Sequence, residues 1–511
     1  MPRPKSRAPL ILLRDAALIF SLEKIIRSIK AALIKTRIGF DPTLGMGPVR
    51  SFLTKLQRFA FAPVDIASLV FFRIAFGLLM AWEVCRYFRN GWVFSHWIEP
   101  RILFKYYGFS WVHPWPGHWL YVHWAVLGVL GLFVAAGFLY RISASLMFLS
   151  YAYFFLLDEV WYVNHTYLIC LFCFLLVFVP ANRALSVDTW LRPSLRSDFA
   201  PAWSLWLLRF QIGVVYFFGG LAKLSPDWLR GEPIRFQLAH SADAPIVGRF
   251  FREEWAVYAV SYGGLLFDLL VVPLLLWRRT RAAAFCVAVL FHLINAVWLP
   301  IGIFPWLAIA ATALFFPPDW PRRALAACRI TTSRVVSNDS AFAHRSIVLS
   351  GLIIFAAVQV FLPLRHLLYR GGVEWTWAEH RFSWRMFLVS YAADAHFYVT
   401  DPNTGQSTAI DLSDFLTPRQ APNMGYLPDL PLQFAHYLAA VMPRKGLKPL
   451  QVQARIFVSI NGRKPVLYLN PIADLAAEQR TLGRPSWLVR NDEPLPPPEK
   501  RYLLEDILAS P

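Results

Sequence analysis

The chain has 511 residues, of which 57% are hydrophobic and only 16% are charged. Soluble domains average about a quarter charged residues, so this composition excludes an ordinary soluble protein and indicates an integral membrane protein. The formal net charge of +19 comes mostly from basic residues in short loops between apolar runs, a pattern typical of membrane orientation. We therefore expect a lipid bilayer, and no nucleic acid, as a partner.

The first 60 residues predict a basic cytoplasmic segment. Apolar residues recur at helical spacing from Leu22 to Leu33, and Lys24, Arg27 and Lys30 supply a polar side. This pattern predicts either a helix lying on an anionic membrane surface or a helix packed against the protein itself.

Nine apolar runs follow that reach or approach the length of a membrane helix, which is about 20 residues. They are Ile66–Tyr87, His118–Leu139, Ile142–Leu157, Asn164–Pro180, Trp203–Leu221, Ala256–Trp277, Ala283–Pro300, Ile301–Phe316 and Ile347–Leu364. Basic residues concentrate in alternate loops, so the positive-inside rule places the N-terminus in the cytoplasm. With nine spans, the segment after Leu364 lies on the outer face.

The outer segment changes to the patterning of strands and turns. Its predicted elements are strands at Trp384–Ser390 and Ala395–Thr400, a turn at Asp401–Gly405, a helix at Pro431–Met442, and a hairpin of Gln451–Ile460 and Pro465–Asn470 about Asn461-Gly462. The predicted fold class is thus a mostly α membrane protein, a polytopic bundle of about nine transmembrane helices with a small C-terminal strand-rich (α+β) extramembrane domain. The predicted domains are 1–60, the cytoplasmic segment; 61–366, the transmembrane catalytic domain; 367–480, the outer strand-rich domain; and 481–511, a Pro-rich tail.

Polar side chains within the apolar runs are costly in a bilayer and are therefore candidates for function. They are Arg73, Glu83, Asn164, His165, Arg209, Gln211, Lys223, Asp268, His292 and Asn295. The predicted topology brings Lys223 and His165 to the outer boundary of the membrane and places His292 near mid-membrane with Asn295 nearer the outer side, so three separate spans deliver polar groups to the outer half. Structural explanations stay open, because a terminal lysine commonly reaches the headgroups and a histidine at a helix start commonly caps or packs. We interpret Arg73 and Asp268 as a structural ion pair.

Cysteine and histidine spacing predicts neither redox chemistry nor a metal site. Cys170 and Cys173 form a CxxC inside an apolar run, where ordinary helix packing is the better interpretation. His118 and His123 are five residues apart and therefore off a common helical face.

Several strings resemble the vitamin K-dependent γ-glutamyl carboxylase family, whose bacterial members share a transmembrane domain. They are FFRIAFG at 71–77, YRIS at 140–143, NHTYL at 164–168, LLRFQIGVVYFFGGLAKLSPDWLRG at 207–231, GGLLFDL at 263–269, FHLIN at 291–295, IGIFPW at 301–306, FSWRM at 382–386 and VSING at 458–462. The resemblance implies an enzyme that oxygenates reduced vitamin K with O₂ to its epoxide. The strong base so formed takes the γ-proton of a glutamate, and CO₂ then adds; no metal is implied.

The resemblance also implies roles for individual residues. Lys223 matches the lysine that acts as the initiating base, and burial favours its free amine. His165 matches a histidine expected near the glutamate carbanion or CO₂, and Tyr216 matches a tyrosine associated with the quinone. The other predicted quinone-binding or cavity residues are Asn164, His292, Asn295, Arg209, Asp227 and Trp228.

One departure concerns the peptide side of the reaction, because Val389 stands where animal members carry a histidine. Two other functions stay open: quinol epoxidation that serves another substrate or is uncoupled, and a non-enzymatic membrane protein that binds quinone or lipid. The expected location is the bacterial inner membrane, with a glutamate-containing peptide or protein as substrate. The sequence leaves the natural substrate, the physiological quinone and the oligomeric state open.

Overall fold

The computed structural model describes residues 47–243, 248–329, 345–368, 373–376, 380–425, 427–442, 451–481, 485–491 and 493–498. The predicted amphipathic helix at Leu22–Leu33 lies outside these residues, as does the end of the predicted tail. Contacts divide the chain into a unit of residues 1–60, which contains helix α1 (Gly47–Ala60), and a unit of residues 61–511, which contains all the elements that follow.

The second unit is mostly helical, as predicted. Its helices are α2 (Ala67–Arg89), α3 (Trp92–Trp97), α4 (Trp119–Ala136), α5 (Tyr140–Leu157), α6 (Asn164–Phe178), α7 (Val187–Leu191), α8 (Ala202–Ala222), α9 (Pro226–Leu229), α10 (Ile234–His240), α11 (Glu254–Leu276), α12 (Arg281–Trp298), α13 (Phe304–Thr312), α14 (Trp320–Ala327), α15 (Arg345–Leu364), α16 (Val373–Thr376) and α17 (Asp429–Val441). Seven of these described helices, α2, α4, α5, α8, α11, α12 and α15, are long and apolar enough to cross a membrane. The two remaining predicted spans correspond to the shorter apolar helices α6 and α13.

Two small sheets accompany the helices. The strands are β1 (Pro63–Asp65), β2 (Phe199–Pro201), β3 (Tyr391–Thr400), β4 (Ser407–Ile410), β5 (Gln451–Ile460) and β6 (Val466–Leu467). Strand β1 pairs with β2, and the other four form an antiparallel sheet in the order β4-β3-β5-β6. Strands β3 and β5 pair along their whole length, from Tyr391 opposite Ile460 to Thr400 opposite Gln451.

Local sequence signals account for the two turns of this sheet. Asn461 and Gly462, between β5 and β6, both have positive φ angles, of 53° and 74°, as the two central residues of a type I′ turn require, and the N–H of Arg463 donates to the carbonyl oxygen of Ile460 at 3.1 Å. The predicted turn at Asp401–Gly405 likewise connects β3 to β4, and helix α17 covers the predicted helical segment. These three predictions are confirmed.

The predicted strand at Trp384–Ser390 is wrong. Within it, Trp384 and Phe387 have positive φ angles of 58° and 56°, and Phe382 just before them has 61°. Bulky residues rarely adopt this conformation, and it breaks the alternation that a strand needs. Regular pairing therefore begins only at Tyr391.

The bundle and the sheet have separate hydrophobic cores. In the bundle, the rings of Phe72, Phe76 and Phe172 pack against one another with centroids 5.1 to 6.1 Å apart. In the C-terminal region, Phe434 of α17 packs edge-on against Phe397 of β3 at 4.9 Å. Helix α17 therefore covers one face of the sheet, as expected when an amphipathic helix buries its apolar stripe.

Candidate active site

Lys223 lies directly after helix α8, where the chain turns into the short helix α9. Its backbone N–H donates to the carbonyl oxygens of Gly220 and Leu221. The next helix starts at once, because Ser225 caps it by accepting from the N–H of Trp228 and Pro226 occupies its first turn. The sequence Lys-Leu-Ser-Pro thus ends one helix and begins another with the lysine at the corner.

The Lys223 ammonium forms a buried ion pair. Its Nζ lies 2.5 Å from Oδ2 of Asp268 on α11, and the two residues are only 7% and 6% exposed. The ring of Trp228 lies nearby, with its centroid 5.1 Å from Nζ. A lysine that reached the headgroups would not be enclosed in this way, so snorkelling does not describe its position.

The predicted ion pair between Arg73 and Asp268 is wrong. The Arg73 guanidinium donates instead to the carbonyl oxygens of Ala181, Ala184 and Leu185, at 2.8, 3.3 and 2.6 Å. These carbonyls follow the C-terminal end of α6, where peptide oxygens lack helical partners. Arg73 therefore anchors a loop, and Asp268 is left to pair with Lys223.

A glycine allows α8 and α11 to approach closely enough for this pair. A Cβ atom on Gly220 would lie 2.7 Å from Leu269 Cδ2 and 3.1 Å from the backbone nitrogen of Leu269. Leu269 follows Asp268 directly, so the absence of a side chain at Gly220 sets the distance between the lysine and its carboxylate.

Tyr216 and His292 form a second buried pair. The Tyr216 hydroxyl lies 2.7 Å from Nε2 of His292 on α12. Tyr216 precedes Lys223 by seven residues, which is two helical turns, so both side chains face the same direction from α8. Nδ1 of His292 is buried and has no hydrogen-bond partner among the described residues.

These residues line a cavity of about 470 Å³, which we call the polar cavity. Seven of the predicted residues contribute to its wall: Asn164, His165, Tyr216, Lys223, Asp268, His292 and Asn295. Asn164 and His165 come from the first turn of α6, and Nδ2 of Asn164 donates to the carbonyl oxygen of Arg385 at 3.0 Å. The start of α6, the end of α8 and the last turns of α12 thus contribute residues to one cavity.

A larger cavity of about 770 Å³ adjoins the first and is lined mainly by apolar side chains. We call it the apolar cavity; its wall includes Trp228, Phe236, Val260 and Trp298. Five residues line both cavities: Lys223, Phe291, Asn295, Phe387 and Val389. Among the described residues, five charged side chains line the polar cavity and only Lys223 among them also lines the apolar cavity, so the buried lysine stands in the wall that the two cavities share.

Two predicted cavity residues lie elsewhere. Arg209, near the start of α8, donates to the carbonyl oxygens of Leu314 and Phe316 at 2.8 and 3.0 Å and lines neither cavity. Asp227 forms two hydrogen bonds with the Arg463 guanidinium, at 2.7 and 2.9 Å, and accepts a third from Asn461. Both residues join structural elements, and neither lines the polar or the apolar cavity as the cavity assignment predicted.

The Asp227 carboxylate is stabilised in its charged form. Burial alone would raise its pKa, but the hydrogen bonds and charge of Arg463 more than offset burial and lower it. This pair connects α9, four residues after Lys223, to the turn between β5 and β6.

The segment 380–389 supplies cavity residues that the sequence alone did not indicate. His380, Arg381 and Arg385 all line the polar cavity. Burial is the main cause that holds the pKa of His380 well below its usual 6.5, and the positive charges of Arg385, Arg381 and Arg365 lower it further. This histidine is therefore neutral at physiological pH. Three positive φ angles fold the segment against the cavity. The available signal was the string FSWRM, which contains Arg385, together with His380 and Arg381 directly before it.

Two acidic residues between α5 and α6 complete the site. Burial raises the pKa of Asp158 to about 7, although its carboxylate accepts from the amides of Val160 and Phe104 at 3.0 and 3.2 Å. Glu159 lines the polar cavity and contacts Arg381 in a salt bridge. The two carboxyl groups therefore have different environments, one inside the loop and one facing the site.

Comparison with known families gives two matches. A family model described as the HTTM domain matches residues 61–320, and a model described as the vitamin K-dependent gamma-carboxylase lumenal domain matches residues 344–493. The first covers the helices that supply Lys223, Asp268, His165 and His292, and the second covers the segment with Arg381 and the sheet. No solved structure matches the chain.

Proposed function

Because the chain belongs to the vitamin K-dependent gamma-carboxylase family, we propose that it oxygenates reduced vitamin K to its epoxide and couples that reaction to carboxylation of a glutamate side chain. The observation that carries the proposal is the position of Lys223, which lies in the shared wall of a polar and an apolar cavity. An apolar quinol and a polar glutamate can therefore reach the same amine from two sides.

The apolar cavity fits a quinol with an apolar side chain. Its volume of about 770 Å³ falls within the range of roughly 300 to 1,000 Å³ typical of small-molecule sites. The aromatic side chains of Trp228, Phe291 and Trp298 offer surfaces for a planar ring, and Lys223 supplies a polar group at the edge. When bound, the quinol and O₂ would supply the oxidative chemistry and the strong base that no protein side chain provides.

The ion pair gives Lys223 a route to its basic form. In a buried site the charged pair loses much of its solvation, so a neutral amine beside a neutral acid becomes competitive with it. Transfer of one proton over the 2.5 Å from Nζ to Oδ2 of Asp268 would leave the amine free to accept the proton of a quinol hydroxyl. Asp268 would thus hold the proton that the lysine must give up.

The polar cavity contains groups suited to the glutamate and CO₂ side. His165 and Asn164 lie on the α6 edge, and Tyr216 and His292 form a hydrogen-bonded pair on the opposite helices. Neutral hydrogen-bond donors held in place can stabilise negative charge that develops on a substrate. We therefore assign His165 to the carbanion and CO₂ step, and Lys223 to the quinol.

The experiment that tests the proposal is product analysis on the purified full chain. Reduced vitamin K, O₂, bicarbonate and a glutamate peptide are supplied, and epoxide formation and CO₂ fixation are measured together. The wild type should form both products. Epoxide without fixed CO₂ would mean that quinol oxygenation is uncoupled or serves another substrate. If neither product forms, the result favours a non-enzymatic quinone- or lipid-binding protein.

Lys223→Ala should abolish both products, because general-base catalysis contributes about 10²–10⁴-fold and no later step proceeds without the first deprotonation. A small exogenous amine should restore part of the activity, and more of it at higher pH. Lys464→Ala is the matched control, since Lys464 is exposed and lines neither cavity. Normal epoxide formation by Lys223→Ala would remove the lysine from the mechanism.

A further inference from the structure

Arg381 lies in the wall of the polar cavity, opposite the loop between α5 and α6. Its Nη1 donates to Oε2 of Glu159 in a salt bridge. The other oxygen of Glu159 accepts from Nε2 of Gln433 at 2.9 Å, and the guanidinium carbon of Arg381 lies 5.4 Å from the ring centroid of Tyr106. Nη1 of Arg381 is therefore engaged by Glu159, and the face of the guanidinium lies near Tyr106.

The backbone on both sides of Arg381 is also held. Its carbonyl oxygen accepts from Nη2 of Arg365 at 2.6 Å, and the N–H of the following residue, Phe382, donates to the hydroxyl of Tyr162 at 2.5 Å. The side chain thus starts from a fixed position, which lowers the entropy lost when a ligand binds.

The edge formed by Nε and Nη2 has no hydrogen-bond partner among the described residues. Nε and Nη2 of Arg381 are both buried, and neither forms a hydrogen bond within the part of the chain that the structure describes. A buried donor left unsatisfied costs about 1–3 kcal/mol. Nε and Nη2 are adjacent and parallel donors in a planar group, and this geometry matches the two oxygens of a carboxylate.

The charge of the cavity wall favours an anion. Its basic side chains are Lys223, Arg381 and Arg385, and its acidic ones are Glu159 and Asp268. Its three basic and two acidic side chains give the wall one positive charge in excess. Asp268 is already paired with Lys223 and Glu159 with Arg381, so neither acid is directed at an incoming anion.

We propose that the Nε and Nη2 edge of Arg381 binds the side-chain carboxylate of the glutamyl substrate inside the polar cavity. This rests on the proposed function for the identity of the substrate, but it assigns a residue and a contact that the function alone does not. Held there, the glutamyl side chain shares one cavity with His165 and Lys223. The positive charge of Arg381 then lies against the carboxylate that is bonded to the γ-carbon, which is the carbon that loses a proton.

The test measures binding and requires no turnover. The full chain in lipid nanodiscs, without quinol, is titrated with a fluorescent peptide that contains a single glutamate and an amidated C-terminus, and with the same peptide carrying glutamine. The wild type should prefer the glutamate peptide. Arg381→Gln should weaken its binding at least tenfold, which corresponds to about 1.4 kcal/mol, and leave the glutamine peptide unaffected.

Two further variants separate ligand binding from structural support. Arg381→Lys keeps a positive charge beside Glu159 but cannot present two parallel donors, so it should lose the preference for glutamate. Glu159→Gln removes the competing internal carboxylate and should strengthen binding of the glutamate peptide. Arg455→Gln is the matched control, because Arg455 is exposed on β5 and lines neither cavity.

Several outcomes would overturn the proposal. One is an unchanged preference for glutamate in both Arg381 variants, and another is weaker binding in Glu159→Gln. Displacement by bicarbonate without any preference for the glutamate peptide would assign the edge to the one-carbon substrate instead. Epoxide formation measured on the same preparations reports separately on the proposed function, so a failure of one does not imply a failure of the other.

Discussion

At the scale of single residues, His165 and Lys223 reach the polar cavity from different helices. His165 lies in the first turn of α6 and its ring centroid is 6.1 Å from that of Phe304, whereas Lys223 follows α8 and pairs with Asp268. Lys223 also faces the apolar cavity, and His165 does not. This difference in exposure to the two spaces is the basis for dividing the two half-reactions between them.

His165→Ala should therefore lower carboxylation more than epoxidation. Loss of one group that stabilises developing charge costs about 3–4 kcal/mol, or roughly 10²–10³ in rate. The measurement is the ratio of epoxide formed to CO₂ fixed. His396→Ala is the matched control, because His396 is exposed on β3. An equal fall of both activities would place His165 with the quinone or the fold.

Asp158 makes stability depend on pH. Burial raises its pKa in the folded chain from 3.8 to about 7, so the folded state holds a proton that the unfolded chain releases. The Asp158 carboxyl therefore leaves the free energy of unfolding unchanged below about pH 4. It lowers that free energy increasingly as the pH rises to about 7, and above pH 7 the full loss is about a few kcal/mol.

Asp158→Asn should remove this penalty while its amide oxygen keeps the hydrogen bonds from Phe104 and Val160. The apparent melting temperature of the variant, relative to the wild type, should rise between pH 5 and pH 8. Asp414→Asn, at an exposed position, should show no such trend. A constant difference across this pH range would contradict the prediction.

At the scale of elements, close helix crossings determine the arrangement of the bundle. Helices α2 and α4 cross at Gly77, where an added Cβ atom would lie 2.4 Å from the carbonyl oxygen of Gly131 and 2.6 Å from the backbone nitrogen of Ala135. Both obstacles are backbone atoms, which cannot rotate away as a side chain can. The crossing therefore tolerates only glycine at this position.

Gly77→Ala should force the two helices apart and destabilise the bundle by about 1–3 kcal/mol or more. Gly351→Ala on α15 is the matched control, since an added Cβ atom there meets nothing within 4 Å. The apparent melting temperature in detergent distinguishes them: a marked fall for the first and little change for the second. Equal effects would mean that the α2 and α4 crossing relaxes easily.

The helices and the second hairpin were predictable because their signals are local. An apolar run of membrane length requires no partner to be recognised, and Asn461-Gly462 specifies its own turn. The segment 382–387 was not predictable, because its positive φ angles depend on packing against the cavity. The pairing of Asp268 was missed for a related reason: hydropathy places a residue along the membrane normal but does not say which neighbouring helix it faces.

The candidate site shows the same limit. Topology alone predicted His165 and Lys223 at the outer boundary and His292 nearer mid-membrane, and the structure adds that the three residues line a common cavity. Arg381 and Arg385 lie outside the apolar runs, where arginine is ordinary, so their charge alone did not indicate a site, although Arg385 lies within the string FSWRM. Only the fold reveals that their segment returns to the helix ends.

At the scale of the whole molecule, the basic loops predict opposite locations for the two ends of the chain. A cytoplasmic N-terminus and an outer C-terminal region follow from the positive-inside rule with nine crossings. Tags at both ends and protease access from each side of sealed vesicles give the measurement. Location of both ends on the same side would require an even number of crossings and would contradict the nine-span prediction.

Two charge pairs connect the segments that the two family models match. Asp227 and Glu159 belong to the segment 61–320, and Arg463 and Arg381 belong to the segment 344–493. Asp227 pairs with Arg463, and Glu159 pairs with Arg381. Removal of one partner of a buried pair costs about 3–5 kcal/mol. Replacement of one segment by a sequence that lacks these partners would therefore leave two charges unpaired at once. A change at either end of a pair thus favours a compensating change in the other segment.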